Sequence, residues 1–262
     1  MTLSDLDRGG AFRAQRTEVL DFCEPLTAEE WRTASRAEGW SIQDVVAHMG
    51  AGVHAMFGPA VTKLLLGKDI EKLNDEMVGI RRDRSPDQVL SEYRRWTGVF
   101  ANVMPPLAST PLGAMRLPLS ELGGFPVRLF LSALVFDTYT HLRYDIAPAL
   151  GRAVGEVDAN RIAVSLEWMM AVLSNQLRAA SPVWLDRPLS INLTGPGGGA
   201  WSVEPSGAVT PGVAASAVAV ITGQAAQFPE WGTRRAPWRE REVDITGDAE
   251  YGAAFLDEMN IV

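Results

Sequence analysis

The sequence predicts an α+β protein, a helix bundle over residues 1–182 followed by a small α+β domain over residues 183–262. Three observations carry this expectation. Apolar residues recur at helical spacing through the first two thirds of the chain, between well-marked caps. After Ser181-Pro182 the texture changes to short alternating runs separated by glycine-rich turns. Two later segments also resemble each other, AVITGQAAQF (219–228) and VDITGDAEYG (243–252). Each is a β-branched run, then Thr-Gly, then a helix-like stretch, which favours a small α+β unit over more bundle.

Taken in order, residues 6–22 carry Phe12, Val19, Leu20 and Phe22 among charged residues, and Pro25 closes this first amphipathic helix. Thr27 caps a short helix with Glu29 and Glu30 in its first turn, ending near Gly39. Ser41-Ile-Gln-Asp44 has the form of a capping box and opens a long helix through Val45, Val46, Met49, Val53, Met56 and Phe57. That helix runs toward Leu66, with Gly58-Pro59 as a break or kink. Ser85-Pro86-Asp87 starts another, with serine as cap and proline at the first position, where its missing N–H costs nothing. Pro105-Pro106 ends it at Met104, and a loop covers residues 105–124. Pro126 opens a helix carrying Phe130, Leu134, Asp137, His141 and Asp145 at intervals of three or four. Residues 157–180 are apolar on much of their circumference, as in a central bundle helix. Residues 188–193 and 200–204 alternate as strands around the turn-rich TGPGGG.

Composition excludes several function classes. The chain has 262 residues and is 47% hydrophobic, enough for a packed core. Its 24 Lys+Arg against 32 Asp+Glu give a net charge of -8, which works against nucleic acid as a partner. The longest apolar stretches, Val127–Val135 and Val213–Ile221, fall short of the roughly 20 residues of a membrane helix, so no membrane partner is expected. The start MTLSDLDRGGAF has no basic segment followed by an apolar core, and no secretory signal is expected there. The single cysteine, Cys23, forms no internal disulfide and reads as structural. The expectation is a cytoplasmic enzyme or binding protein, monomer or homodimer.

Chemistry concentrates on the three histidines: His48 and His54 in GWSIQDVVAHMGAGVH, and His141 in FDTYTHLRYDI, four residues after Asp137. Residues four apart share a helical face, so Asp137 and His141 can offer a carboxylate oxygen and an imidazole nitrogen to one ion. His48 comes from a different helix, and three protein ligands leave positions open for water or substrate, as in catalytic metal sites. Spacing alone leaves the ordinary alternative open, a hydrogen-bonded core histidine beside a chance D-x-x-x-H match. His54 lies about 600° around the helix from His48 at about 100° per residue, so the two project about 120° apart and do not face one ion. It reads as a pocket-edge or surface histidine. Trp96, Phe100 and Trp168 read as core.

The segment GWSIQDVVAHMG resembles the N-terminal signature of the mycothiol-dependent maleylpyruvate isomerase family, one of the DinB-like metalloenzymes built on a four-helix bundle. NDEMVGIRRDRSPDQVLSEYRRW and DTYTHLRYDIAPALGR continue the resemblance, while WSVEP, ITGQAAQF, WGTRR and VDITGDAEYGAAFLDEMNIV are similar to a sterol-carrier-like α+β domain. It spans nearly the whole chain, and the order of the motifs is more specific than any one of them. The implied architecture is a DinB-like four-helix bundle over 1–182 and a sterol-carrier-like domain over 183–262. Carried over residue by residue, the resemblance makes His48 the first metal ligand, His141 the last and Asp137 the occupant of a carboxylate position where the family usually has Glu. Aspartate draws the oxygen back by about 1.5 Å, so metal binding is weakened or lost unless the helix shifts or a water bridges the gap. Asp145 follows His141 by four residues, where the family has a shorter interval. Either the alignment slips by one, or Asp145 accepts the free N–H of His141, or it is a helix-end acid on the surface.

The resemblance further implies a divalent metal, zinc first and nickel or iron as alternatives, with mycothiol as cosubstrate. It implies an isomerase or thiol S-transferase acting on a small electrophilic, anionic substrate. Arg82, beside Arg81, and Arg234, beside Arg235, are the candidate catalytic cations, since a guanidinium fork suits a carboxylate. Asn74 and Asp75 are candidates to line the thiol's polar sugar. Two other classes stay open: a non-catalytic relative that binds a small anionic ligand or regulates, and a carrier of an apolar ligand.

Overall fold

Side-chain caps set several of the helix starts in the computed structural model, which describes residues 6–261; residues 1–5 and Val262, the outer ends of the two sequence-drawn domains, lie outside the described residues. After α1 (Arg8–Cys23), Thr27 and Glu30 form a capping box that opens α2 (Ala28–Arg32). This helix stops well before Gly39, because Thr33 turns to φ -58°, ψ 136° and residues 33–41 close on themselves through an Ala34–Ser41 bridge. The Ser41–Asp44 box opens α3 (Ile42–Met56) as its pattern predicts. Gly58-Pro59 does not kink a continuous helix but separates α3 from α4 (Val61–Leu66). α5 (Ile70–Gly79) is absent from the sequence expectation; its cap is Asp69, which accepts from the backbone N–H of Lys72 at 2.9 Å.

Ser85 and Pro86 open α6 (Pro86–Ala108), which runs through Pro105 and Pro106 instead of ending at Met104. Prolines this near the end cost few backbone bonds, and Ser109 ties the last turn by donating its N–H and hydroxyl to the Pro105 carbonyl at 3.2 and 3.0 Å. The expected loop 105–124 instead holds a 3-10 turn and a hairpin of β1 (Arg116–Pro118) and β2 (Gly124–Pro126). Pro126 therefore closes a strand, opposite Arg116, and α7 starts later, at Leu129 (Leu129–Thr140). α7 continues directly into a π-helical turn, His141–Ile146, where the Ala147 N–H reaches the Leu142 carbonyl at 3.0 Å.

Contacts divide the described residues into two units, Arg8–Glu156 and residues 157–261 with Leu6 and Asp7. In the first, α1, α3, α6 and α7 form a four-helix bundle around Val19, Leu20, Val45, Val46, Met49, Tyr93, Leu142 and Ile146. α3 and α6 approach closely because Gly50 has no side chain: a Cβ there would sit 3.2 Å from the Tyr93 backbone.

The second unit carries α8 (Ala159–Ala180), capped by Asp158. The sequence division at 182/183 has this helix on the bundle side; by contacts it groups with the sheet. Ser174 on α8 donates to the Gly207 carbonyl at 3.2 Å and accepts from the Val209 N–H at 3.1 Å. Gly207, at φ 76°, lets that turn lie against the helix, since a Cβ would come within 2.6 Å of the Arg178 nitrogen. The strands are β3 (Leu189–Thr194), β4 (Gly199–Val203), β5 (Val209–Pro211), β6 (Ala219–Gln224) and β7 (Asp244–Gly247), in the order β5-β4-β3-β6-β7. β3 pairs parallel with β6, Ile191 opposite Ile221, and the other neighbours are antiparallel. Each of the two similar segments forms a strand that leads to a helix, β6 to α9 (Phe228–Gly232) and β7 to α10 (Ala249–Glu258). Together the units make the α+β class that the sequence predicts. Among the described residues, no helix is long and apolar enough to cross a membrane.

Candidate metal centre

The capping box that starts α3 fixes the helix register that carries His48, about two turns in; Asp137 projects from α7 and His141 from the start of the π-helical turn. Their ligand-type atoms converge, all within 4.8 Å of one another. Asp137 Oδ1 lies 3.3 Å from His48 Nε2 and 3.5 Å from His141 Nε2. Two ligand atoms bonded at about 2.0–2.1 Å to a tetrahedral ion stand about 3.3 Å apart, so the separations of Asp137 from each histidine suit a shared ion. They are longer than the usual N–H···O hydrogen bond of about 2.9–3.0 Å. The shorter aspartate thus reaches both imidazoles. The side chains are 10%, 29% and 11% exposed for His48, Asp137 and His141, leaving access mainly at the carboxylate.

Asp145 is buried, with Oδ2 2.7 Å from His141 Nδ1. A carboxylate there fixes the tautomer, with the proton on Nδ1 and the Nε2 lone pair toward Asp137 and His48. Of the three readings left open for Asp145, the structure gives the one in which it orients His141. His48 differs: its Nδ1 is buried and no described group bonds to it. The indole of Trp40 lies beside both imidazoles, with ring centroids 5.1 Å from His48 and 6.4 Å from His141.

His54 stays outside the cluster, as its projection predicts, 39% exposed and stacked on Trp96 at 4.2 Å. Its Nδ1 lies 2.7 Å from Oε1 of Glu92, a buried carboxylate that Arg81 grips through Nε and Nη2 at 2.8 and 2.7 Å and that also takes a bond from Arg84. Burial pushes the Glu92 carboxyl up, but hydrogen bonds from Arg81 and His54 and the charges of Arg81 and Arg84 outweigh it and hold the group at about 2. Arg81 is thereby committed to structure. Arg82 is 57% exposed, with Nε 3.5 Å from Asp44 on the N-terminal turn of α3. Asp75, on α5, accepts the Trp40 indole N–H at 3.0 Å, and Asn74 beside it is half-buried. In the second unit, exposed Arg234 adopts φ 56° and donates through Nε to the Met259 carbonyl at 2.9 Å. Burial pushes the Cys23 thiol up to about 12, so it is no thiolate nucleophile at neutral pH. Phe100 and Trp168 are buried, as expected, whereas Trp96 is only half-buried, its ring covered by His54 and Phe57.

Sequence reasoning missed Trp40 as a neighbour of the centre, although it immediately precedes the Ser41 cap, and missed the Glu92 network, whose members carry no common spacing.

Fold and site together define a helix bundle with a two-histidine, one-carboxylate centre, a class suited to divalent metals. Residues 12–147 match the family model described as mycothiol maleylpyruvate isomerase N-terminal domain, and the chain belongs to that family. Its fold is similar to the crystal structure of the mycothiol-dependent maleylpyruvate isomerase and to that of a histidine-to-alanine mutant of it. Each comparison gives 14% identity, a TM-score of 0.58, and coverage of 94% of this chain and 95% of the other. No curated protein sequence matches.

Proposed function

We propose that this chain is a metal- and mycothiol-dependent isomerase or thiol S-transferase of the maleylpyruvate isomerase type, acting in the cytoplasm on a small, electrophilic, anionic substrate. The observation that carries this reading is the convergence of His48, Asp137 and His141 inside the bundle of a chain belonging to that family. These three residues would hold the ion, zinc before nickel or iron because a mixed imidazole and carboxylate set suits it. A bound divalent ion supplies Lewis acidity and favours the thiolate form of a thiol at neutral pH.

The chain's own groups do the rest. Asp145 keeps the His141 proton on Nδ1, so that Nε2 faces the centre as a lone pair. Asp137, the most exposed of the three, marks the side from which substrate arrives. Arg82 and Arg234, each in its own unit, are the cations assigned to anionic groups, which a guanidinium suits. Asn74 and Asp75 are assigned to the polar sugar of the thiol. Cys23 takes no part, and the reacting sulfur comes from the cosubstrate. The second unit is assigned to the sterol-carrier-like type.

The test is metal content by elemental mass spectrometry on protein purified without chelator or metal-affinity tag, beside His48→Ala and Asp137→Ala. About one equivalent in the parent and none in either variant is the expected result, followed by thiol-dependent turnover of an electrophilic diacid. A parent that holds no metal after incubation with zinc or nickel overturns the reading.

A further inference from the structure

A ligand imidazole binds well only if its ring is already aimed at the ion, and the usual device is a hydrogen bond to the second ring nitrogen. His141 has that device in Asp145, at 2.7 Å. His48 lacks it, because its Nδ1 is buried with no bonding partner among the described residues. Two rings lie against that of His48: the other ligand His141, edge-on at 5.0 Å between centroids, and the Trp40 indole, 5.1 Å away and tilted by 44°.

Trp40 is not a loose cover. Its N–H donates to the Ala37 carbonyl at 3.1 Å, and its own carbonyl accepts from the Ser35 N–H at 2.9 Å and the Ser35 hydroxyl at 2.8 Å. Its indole N–H donates to Asp75 Oδ1 at 3.0 Å, so an exposed carboxylate on α5 fixes a ring that touches the centre. The same loop is tied to the start of α3 by Ile42 N–H to the Thr33 carbonyl at 2.9 Å. It is tied to the π-helical turn by Arg36 N–H to the Asp145 carbonyl at 3.0 Å.

We propose that Trp40, pinned by Asp75, is the positioning partner of His48. Contact with an anchored aromatic ring does for His48 what a hydrogen bond does for His141. This inference rests on the metal-binding reading above, and it gives Asp75 a role at the centre that it plays through Trp40 with Oδ1, leaving Oδ2 to meet the thiol.

Four variants test it: Trp40→Ala, Trp40→Phe, Asp75→Leu and Asp75→Asn. Zinc affinity is measured by competition with a chromophoric chelator, and the ring resonances of His48 and His141 are followed by NMR in metal-free protein. Trp40→Ala weakens zinc binding by about 10–100-fold, the range for losing an orienting partner of a ligand. Trp40→Phe falls between that variant and the parent. Asp75→Leu, which removes the acceptor at an exposed position without threatening the core, weakens binding clearly. Asp75→Asn, whose amide oxygen still accepts the indole N–H, stays within about threefold of the parent. In metal-free Trp40→Ala and Asp75→Leu, the resonances of both rings shift because the indole lies beside both, but those of His48 broaden while those of His141, still held by Asp145, stay sharp.

Zinc affinity in Trp40→Ala and Asp75→Leu within about threefold of the parent, or equal broadening of the two histidines, overturns the proposal. A parent that binds no zinc sinks the metal reading instead, and the ring resonances then decide the positioning role alone.

Discussion

Glu92→Gln removes one charge from the network that joins α6, the Arg81–Arg84 turn and His54 on α3, and the structure sets the size and sign of the effect. The Glu92 carboxyl stands at about 2 where its ordinary value is 4.5. Each unit is worth about 1.4 kcal/mol, so the charged form contributes about 3 kcal/mol to folding at neutral pH. Burial opposes this, and hydrogen bonds from Arg81 and His54 with the charges of Arg81 and Arg84 overcome it. Because the folded-state value is depressed, the contribution is fully present above 4.5 and is lost as pH falls toward 2. The variant also leaves buried Arg81 without its carboxylate, a further cost that does not depend on pH over this range. The assay is urea unfolding of parent and variant from about pH 7 down to about pH 3. The expected result is a gap of about 3 kcal/mol or more near neutrality that narrows on acidification. A gap that stays constant across the range refutes the charge argument and leaves only a packing defect.

Two further outcomes follow from groups near the centre. Asp145→Ala frees the His141 ring and lowers zinc affinity by about 10–100-fold, read by chelator competition, whereas Asp145→Asn, keeping an acceptor at the same place, loses less; equal losses would count against an orienting hydrogen bond. Cys23, buried and with its thiol pushed up to about 12, stays unmodified by a thiol reagent in the folded protein and reacts once urea unfolds it, as followed by mass spectrometry.

What the sequence revealed of the fold is what local chemistry encodes. Ser41 with Asp44, Thr27 with Glu30, and Ser85 before Pro86 each use a side-chain oxygen to satisfy the amides of a first turn, and all three caps form where the residues say. The Asp69 cap of α5 uses the same chemistry but stands beside lysines and without a strong apolar run, so the pattern is faint. The allegiance of α8 was invisible, because an apolar helix packs equally well on helices or on a sheet; Ser174 and its bonds across the β4–β5 turn are what mark it.

At the centre the same division holds. Asp137 and His141 are one helical turn apart and could be paired by spacing, and His48 followed from a cap and a signature. Asp145 could not be assigned, since four residues mean one thing in an α-helix and another in a π-helical turn. The Trp40–Asp75 bond joins residues 35 positions apart, and no local pattern announces it.

The π-helical turn at His141–Ile146 has a consequence for how this chain can change. An α-helix closes its bonds four residues back, and a turn that closes five back holds one residue more than the helix around it requires. Deleting a single residue between His141 and Asp145 would let the segment relax into ordinary helix with little disturbance to folding. The same deletion would leave Asp145 three residues after His141, a spacing that ordinary helix still places on the same face, so the carboxylate stays beside the nitrogen it holds. The spare residue is thus one the centre can do without, provided the groups that build the centre stay. In this stretch Leu142 and Ile146 belong to the core and His141 and Asp145 to the centre, so the segment tolerates a change of count more readily than a change of those four side chains.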